Sequence, residues 1–343
     1  MIDLNSIWFL LVGVLIIGYA ILDGFDLGVG IIQLFTKSDE DRRINMNAIG
    51  PVWDGNEVWL LTGGGALFAA FPIVYATVFS GFYIAFMLLL TALIFRAVSF
   101  EFRKYSETPK AKRFWEYSFA IGSTLPAILF GVAIGNILIG LPVQMINGKV
   151  VESITFLGLL RPFPILVGVL SLVLFLMHGA VYLTMKTTGS QLAKMEALVN
   201  KSWIAFVIIY LIATLAAFFN AQYLFVGILK NPIFWVLFIL LFAGMFYIPM
   251  GVKAKRYGYA FLSSSVLIAA MIGLAAICLY PNLVPSNINV ATESLTIYNS
   301  SSSQNTLTVM LIIALIGMPI VVAYSIFIYR VFRGKTVITK DSY

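Results

Sequence analysis

Apolar runs of twenty residues or more recur along this chain, separated by short charged segments, and they limit it to very few folds. A helix needs about 20 apolar residues to cross a hydrocarbon core roughly 30 Å thick, and within that core only helices or closed barrels satisfy every backbone polar group. Nine such runs are read, at 7–35, 53–76, 77–100, 117–141, 161–185, 201–226, 231–252, 259–281 and 306–332. A tight turn near Phe71-Pro72 joins the second to the third, because proline cannot continue an ordinary helix. Only 11% of the residues are charged, 61% are hydrophobic and the mean hydropathy is +0.97. A soluble domain is about one quarter charged, so this composition excludes one. The reading is an all-α polytopic membrane protein. The first run is too long for the apolar core of a cleaved signal peptide, so it is expected to stay in the protein.

The distribution of basic residues orients the spans. With the N-terminus outside, only Lys149, Arg161 and Lys230 face outward, and Arg96 lies inside the third span. All the other basic residues of the 22, from Lys37 to Lys340, then fall on the inner side. The net charge of +7 is therefore a topology signal and not a nucleic-acid footprint. The C-terminus is expected on the inner side of the membrane.

An internal repeat is visible. Leu11-Val12-Gly13-Val14-Leu15 recurs as Leu166-Val167-Gly168-Val169-Leu170, and the same offset of 155 residues lays Asp23-Gly24 on His178-Gly179. Both copies begin outside, so the repeat is parallel. The expected division is a first four-helix bundle at 1–145, a second at 146–285, and an outer polar loop with a ninth helix at 286–343. The Ser-, Thr- and Asn-rich stretch 282–305 reads as a solvated connection.

Polar groups that lipid should exclude carry the chemistry, since a charge near the bilayer centre costs at least about 2.5–3.5 kcal/mol. Asp23 and Asp26 lie in the first span, three residues apart and on one helix face. Counted from Ile7, Asp23 sits roughly 24 Å down the helix, in the inner half of the membrane. Gly24 and Gly28 open a close approach for a neighbouring helix. At the inner mouth of the second span, Asp54 is placed to cap the helix, with Glu57 completing a capping arrangement and Trp53 and Trp59 as interfacial anchors. That reading accounts for Asp54 but not for the gathering of Asp23, Asp26, Asp54 and Glu57 in one leaflet. Arg96 either snorkels to the inner headgroups or serves as their counter-charge. The carboxylates themselves are open to two readings, a proton entry path or a buried network that fixes packing.

One cysteine, Cys278, excludes an internal disulfide, and one histidine, His178, excludes a bis-histidine haem or a multi-histidine metal site. His178 is open to haem ligation with a methionine or to hydrogen-bonded packing. No phosphate-binding loop, Ser-His-Asp set or zinc-protease motif occurs.

Gly18-Tyr19-Ala20-Ile21-Leu22-Asp23-Gly24-Phe25-Asp26-Leu27-Gly28 resembles a signature of the second subunit of cytochrome bd-type quinol oxidases. So do the run from Gly50 to Trp59, the run from Gly63 to Pro72, Phe79-Ser80-Gly81-Phe82-Tyr83 and Phe95-Arg96. The likeness is dense over 10–105 and thinner afterwards. It implies a complex that oxidises quinol and reduces dioxygen to water, with two b-type haems and one d-type haem in subunit I and none bound by this chain. It also implies pairing with subunit I for assembly and haem retention, in some members a small single-helix accessory subunit or a structurally held quinone, and contact with membrane lipid. The family's Trp-Asp-Gly-Asn aspartate, here Asp54, contributes to proton delivery from the cytoplasm. Glu57 stands where other members can carry Gln, which leaves a protonation role for it open. From the residues alone, a proton-coupled secondary transporter and a purely structural assembly subunit stay open as rival readings.

Overall fold

The computed structural model describes residues 3–146 and 149–338; Lys340, counted above among the inner basic residues, lies outside them. In chain order the helices are α1 (Leu4–Gln33), α2 (Asp39–Ile49), α3 (Trp53–Ala70), α4 (Pro72–Gly81), α5 (Tyr83–Lys104), α6 (Pro109–Ile139), α7 (Phe156–Leu159), α8 (Pro162–Lys186), α9 (Gly189–Asn220), α10 (Pro232–Lys253), α11 (Tyr257–Leu279), α12 (Val290–Glu293) and α13 (Gln304–Val331). Two 3-10 turns (Gln222–Phe225 and Ile228–Lys230) and two short antiparallel strand pairs complete the described residues, β1 (Val143–Ile146) with β2 (Lys149–Glu152) and β3 (Asn282–Val284) with β4 (Leu295–Thr296). This is an all-α polytopic membrane protein.

Among the described residues eight helices are long and apolar enough to cross a membrane, not nine. The expected second span is the exception. Its helix stops at Ala70, and Phe71 adopts a non-helical backbone (φ −133°, ψ 64°) before Pro72 restarts the chain as the ten-residue α4. A second interruption at Phe82 starts α5, so the turn forecast near Phe71-Pro72 is one of two breaks. Pro72 marks the first, since proline suits the first position of a new helix. Two helices also begin earlier than hydropathy suggests. Thr108 caps α6 by accepting from the Ala111 N–H at 3.2 Å, and α9 starts at Gly189. Helix α2, unforeseen, is a short polar helix capped by Ser38 with three acidic residues in its first turn, as a helix N-terminus favours.

Helices α1 and α8 stand side by side at the centre, each packed on α6 and α11. Their closest approach is glycine on glycine. A Cβ added at Gly28 would lie 1.9 Å from the Phe175 carbonyl oxygen, and one at Gly179 would lie 2.5 Å from the Gly28 carbonyl carbon. Only bare backbone permits that contact. Around this seam the larger core gathers Phe25, Phe119, Met177, Phe206, Leu241 and Leu267, while large apolar side chains such as Leu61, Leu211, Ile239 and Ile313 face outward, as lipid-facing surfaces require.

At the end holding the N-terminus, the segment 282–303 is not the solvated connection expected. Val284, Leu295 and Ile297 are fully buried, and Ser286 and Ser300 have no exposure. Ser286 Oγ donates to the Val143 carbonyl (2.7 Å), and Asn5 Nδ2 donates to the Ile297 carbonyl (2.7 Å), so the segment is stitched across the helix ends. Polar side chains here saturate buried backbone groups, which composition alone reads as solvation. Helix α13 lies against the outside of the bundle with only Leu307 buried, tied to α1 where Trp8 Nε1 donates to the Leu307 carbonyl (2.9 Å).

Candidate functional site

Three helices bring the intramembrane charges together. Arg96 of α5 is fully buried and grips Asp23 of α1 with both terminal nitrogens, Nη2 to Oδ1 at 2.5 Å and Nη1 to Oδ2 at 3.1 Å. The same Nη1 donates to Glu57 Oε1 of α3 at 3.2 Å. The guanidinium is therefore not snorkelled toward headgroups. It sits between two carboxylates in the two-pronged geometry that makes arginine the preferred buried cation. Asp23 has no solvent exposure, whereas the Glu57 side chain keeps 21%.

Asp26, also on α1 and fully buried, is outside that grip. Its Oδ2 accepts from Asn56 Nδ2 of α3 at 2.7 Å, and its Oδ1 has no hydrogen-bond partner among the described residues. Asn56 Nδ2 also reaches the Leu22 carbonyl (3.2 Å), and Asn56 Oδ1 accepts from the Tyr329 hydroxyl of α13 (2.8 Å). Asn56 and Tyr329 were given no role from sequence. A neutral amide inside a motif carries no charge signal, and a tyrosine near the end of a last span reads as an interfacial aromatic.

Asp54 stands apart from this buried set. It is exposed in the first turn of α3, and it does not cap the helix: Val52 holds the N-cap position and no side-chain cap bond forms. Trp53 stacks flat on Phe100 with ring centroids 4.9 Å apart. Trp59 lies on Gly18, where a Cβ would come within 2.3 Å of its ring. Both are half-buried and pack on neighbouring helices. Gly24 faces the Phe175 ring, so Gly24 and Gly28 together seat α8 on α1.

A second ionic group, missed in the sequence, closes the end of the molecule that carries α2. Glu116 of α6 accepts from Arg103 of α5 (2.7 Å) and from Arg42 of α2 (3.0 Å), and Arg103 also reaches Asp39 (3.1 Å). Asn45 links Gln33 (3.1 Å) to Gln191 of α9 (2.8 Å) beside it.

The family profile for cytochrome bd terminal oxidase subunit II matches residues 4–332. The chain belongs to that family. It is similar to the probable cytochrome oxidase subunit 2 of Haemophilus influenzae, at 36% identity over 97% of this chain and 95% of the relative. The cytochrome bd-I ubiquinol oxidase subunit 2 of Escherichia coli K12 is 35% identical over 98% of this chain and 96% of its own. The cytochrome bd ubiquinol oxidase subunit 2 of Bacillus subtilis 168 is 35% identical over 98% and 97%. The backbone also matches a chain of the bd oxidase from Geobacillus thermodenitrificans with a TM-score of 0.79, covering 96% of this chain and 98% of that one. At 17% identity that match shows a common fold.

Subunit II of a bd-type oxidase works within a haem-bearing complex, so the fit of this chain's own residues to a haem can be tested. His178 of α8 is fully buried and both ring nitrogens are engaged, Nδ1 with Ser264 Oγ at 2.7 Å and Nε2 with the Ile21 carbonyl at 2.9 Å. The Ile21 carbonyl can only accept, so Nε2 carries the proton, and Nδ1 faces the Ser264 hydroxyl, which also lies 2.8 Å from the Phe261 carbonyl. The ring also stacks on Phe261 with centroids 4.9 Å apart. Both ring nitrogens thus face protein partners. Among the described residues no group of three or more His, Cys, Asp or Glu could hold a metal. Among the described residues, His178 has both ring nitrogens engaged, which does not suit a haem ligand.

Proposed function

We propose that this chain is the haem-free subunit of a quinol oxidase that reduces dioxygen to water, supporting assembly with a haem-bearing subunit I and taking up protons from the cytoplasm. Relatives similar over nearly their whole length carry ubiquinol oxidase in their names. The observation that carries the proton-uptake reading is the succession of carboxyls on α1 and α3: exposed Asp54, half-buried Glu57, then buried Asp23 and Asp26 around Arg96. Carboxyl groups graded from an exposed helix end into a buried, charge-compensated interior give protons an entry that lipid otherwise denies. The basic residues sort to the end holding α2, which supports an N-terminus outside and a C-terminus inside. Protons released from quinol outside and consumed from inside would separate charge across the membrane without a pump. Asp23, Asp26 and Glu57 support that supply, Arg96 is their counter-charge, and Trp53, Trp59, Gly24, Gly28 and His178 hold the packing. We further read 1–145 and 146–285 as duplicated four-helix bundles joined along the α1–α8 seam, with 286–343 added to them.

Replacing Asp54 by Ala in the assembled oxidase tests this. Oxygen consumption is expected to fall while haem content stays constant. Full activity at normal haem content would remove Asp54 from the path. Loss of haem with an unchanged rate per haem would instead assign the carboxylates to assembly alone.

A further inference from the structure

We propose that Asp26 holds a proton in the resting protein, and that Tyr329 is the positioning residue that sustains this state through Asn56. Two carboxyls one helical turn apart on α1 are treated in opposite ways by their surroundings. Asp23 receives both terminal nitrogens of Arg96 in a buried ion pair. Asp26 receives one neutral amide donor on Oδ2, while Oδ1 is buried with no partner among the described residues. An ionised carboxylate offers about four acceptor sites. Burying one with a single neutral hydrogen bond costs far more than leaving one O–H of a neutral acid unpaired.

The charged and titratable groups facing Asp26 point the same way. Asp23 on its own helix and Glu57 on α3 are carboxyls, Tyr182 of α8 and Tyr329 of α13 are phenols, and among the described residues Arg96 of α5 is the cation that faces it, already engaged by Asp23 and Glu57. The amide that contacts Asp26 is held in one orientation. Asn56 Nδ2 faces two acceptors, Asp26 Oδ2 and the Leu22 carbonyl, and Asn56 Oδ1 faces the Tyr329 hydroxyl, which donates. Turning the amide over would set its oxygen against the Leu22 carbonyl and take from the Tyr329 hydroxyl the acceptor it now donates to. Tyr329 comes from a helix that otherwise buries only Leu307, so the outermost helix reaches the buried acid through this one hydroxyl.

This assignment deepens the proton-uptake reading but does not require it, because its readout is taken on the resting complex without turnover. Infrared spectra of the purified oxidase in H2O and D2O should contain a carboxylic-acid C=O band that Asp26→Asn removes. Tyr329→Phe, which keeps the ring and deletes the hydroxyl, should displace that band while the complex still assembles. An acid-band region in Asp26→Asn identical to wild type would overturn the proposal, as would an unmoved band in Tyr329→Phe. Failure of Asp26→Asn to assemble would overturn it too, since an amide is the neutral acid's closest substitute and should be tolerated. Should Asp54→Ala leave the rate unchanged, the uptake reading falls while the band result stands.

Discussion

Arg96→Met is the substitution whose consequence the structure specifies most closely. Methionine keeps the length of the arginine stem and removes the cation, leaving Asp23 at zero exposure without either charge-assisted hydrogen bond. Breaking a buried ion pair from one side costs about 3–5 kcal/mol, against about 0–1 kcal/mol for an exposed pair. The Arg96–Glu57 contact is left out of this figure, because the Glu57 side chain is 21% exposed and not fully buried. The expected loss is therefore about 3–5 kcal/mol, roughly two to three and a half powers of ten in the folded-to-unfolded ratio. Unfolding by SDS in mixed micelles, followed by tryptophan fluorescence, reads it directly. The companion variant Asp23→Leu with Arg96→Met removes both charges and should recover most of the loss, since apolar replacement of a buried pair is often neutral or stabilising. A single variant within about 1 kcal/mol of wild type would refute the argument, because the pair would then behave as a solvated surface contact. So would a double variant whose loss equals the sum of the two single ones.

Gly28→Ala sets a methyl against the backbone of α8, where neither wall can yield, and should destabilise by at least the 1–3 kcal/mol typical of overpacking. Gly64→Ala, with nothing within 4 Å of the added methyl, is the control and should be neutral or mildly stabilising in the same unfolding titration. His178→Gln should leave the absorption spectrum of the assembled oxidase unchanged per complex, because both ring nitrogens are spent on Ser264 and Ile21. A lost or shifted haem band at full assembly would make His178 a ligand after all.

The spans were legible because lipid imposes one rule on every residue that faces it, and long apolar runs have few alternatives. What failed was punctuation. From Trp59 to Val98 the chain is apolar with scarcely a charged residue, so nothing marks where α3 ends, α4 begins and α5 resumes except Pro72, and Phe82 gives no signal at all. Helix α2 had a readable start, Ser38 followed by acidic residues, but its low hydropathy assigned it to a loop. At the site, Asp23, Asp26, Glu57 and Arg96 were conspicuous because charge in lipid is costly whatever the fold. Their pairing was not readable. Arg96 lies 73 residues from Asp23 and Tyr329 lies 273 from Asn56, separations that only tertiary packing closes. The neutral members were hidden for a further reason: an asparagine and a tyrosine declare their role only through what stands opposite them.

The division of labour between Asp23 and Asp26 follows from helix geometry. Residues three apart on an α-helix project about 60° from one another. The two carboxyls are therefore near enough to share one polar patch yet point at different neighbours, Asp23 at α5 and Asp26 at α3 and, through Asn56, α13. Gly24 and Gly28 lie on the α8 side of the same turns, and their lack of side chains lets α8 close against α1 there. One short stretch, Asp23-Gly24-Phe25-Asp26, thus specifies a cation partner, a helix seam and a buried acid together. Moving either carboxyl by one residue would rotate it by about 100°, away from its partner. The spacing within this stretch accordingly carries as much of the site as the identities of its residues.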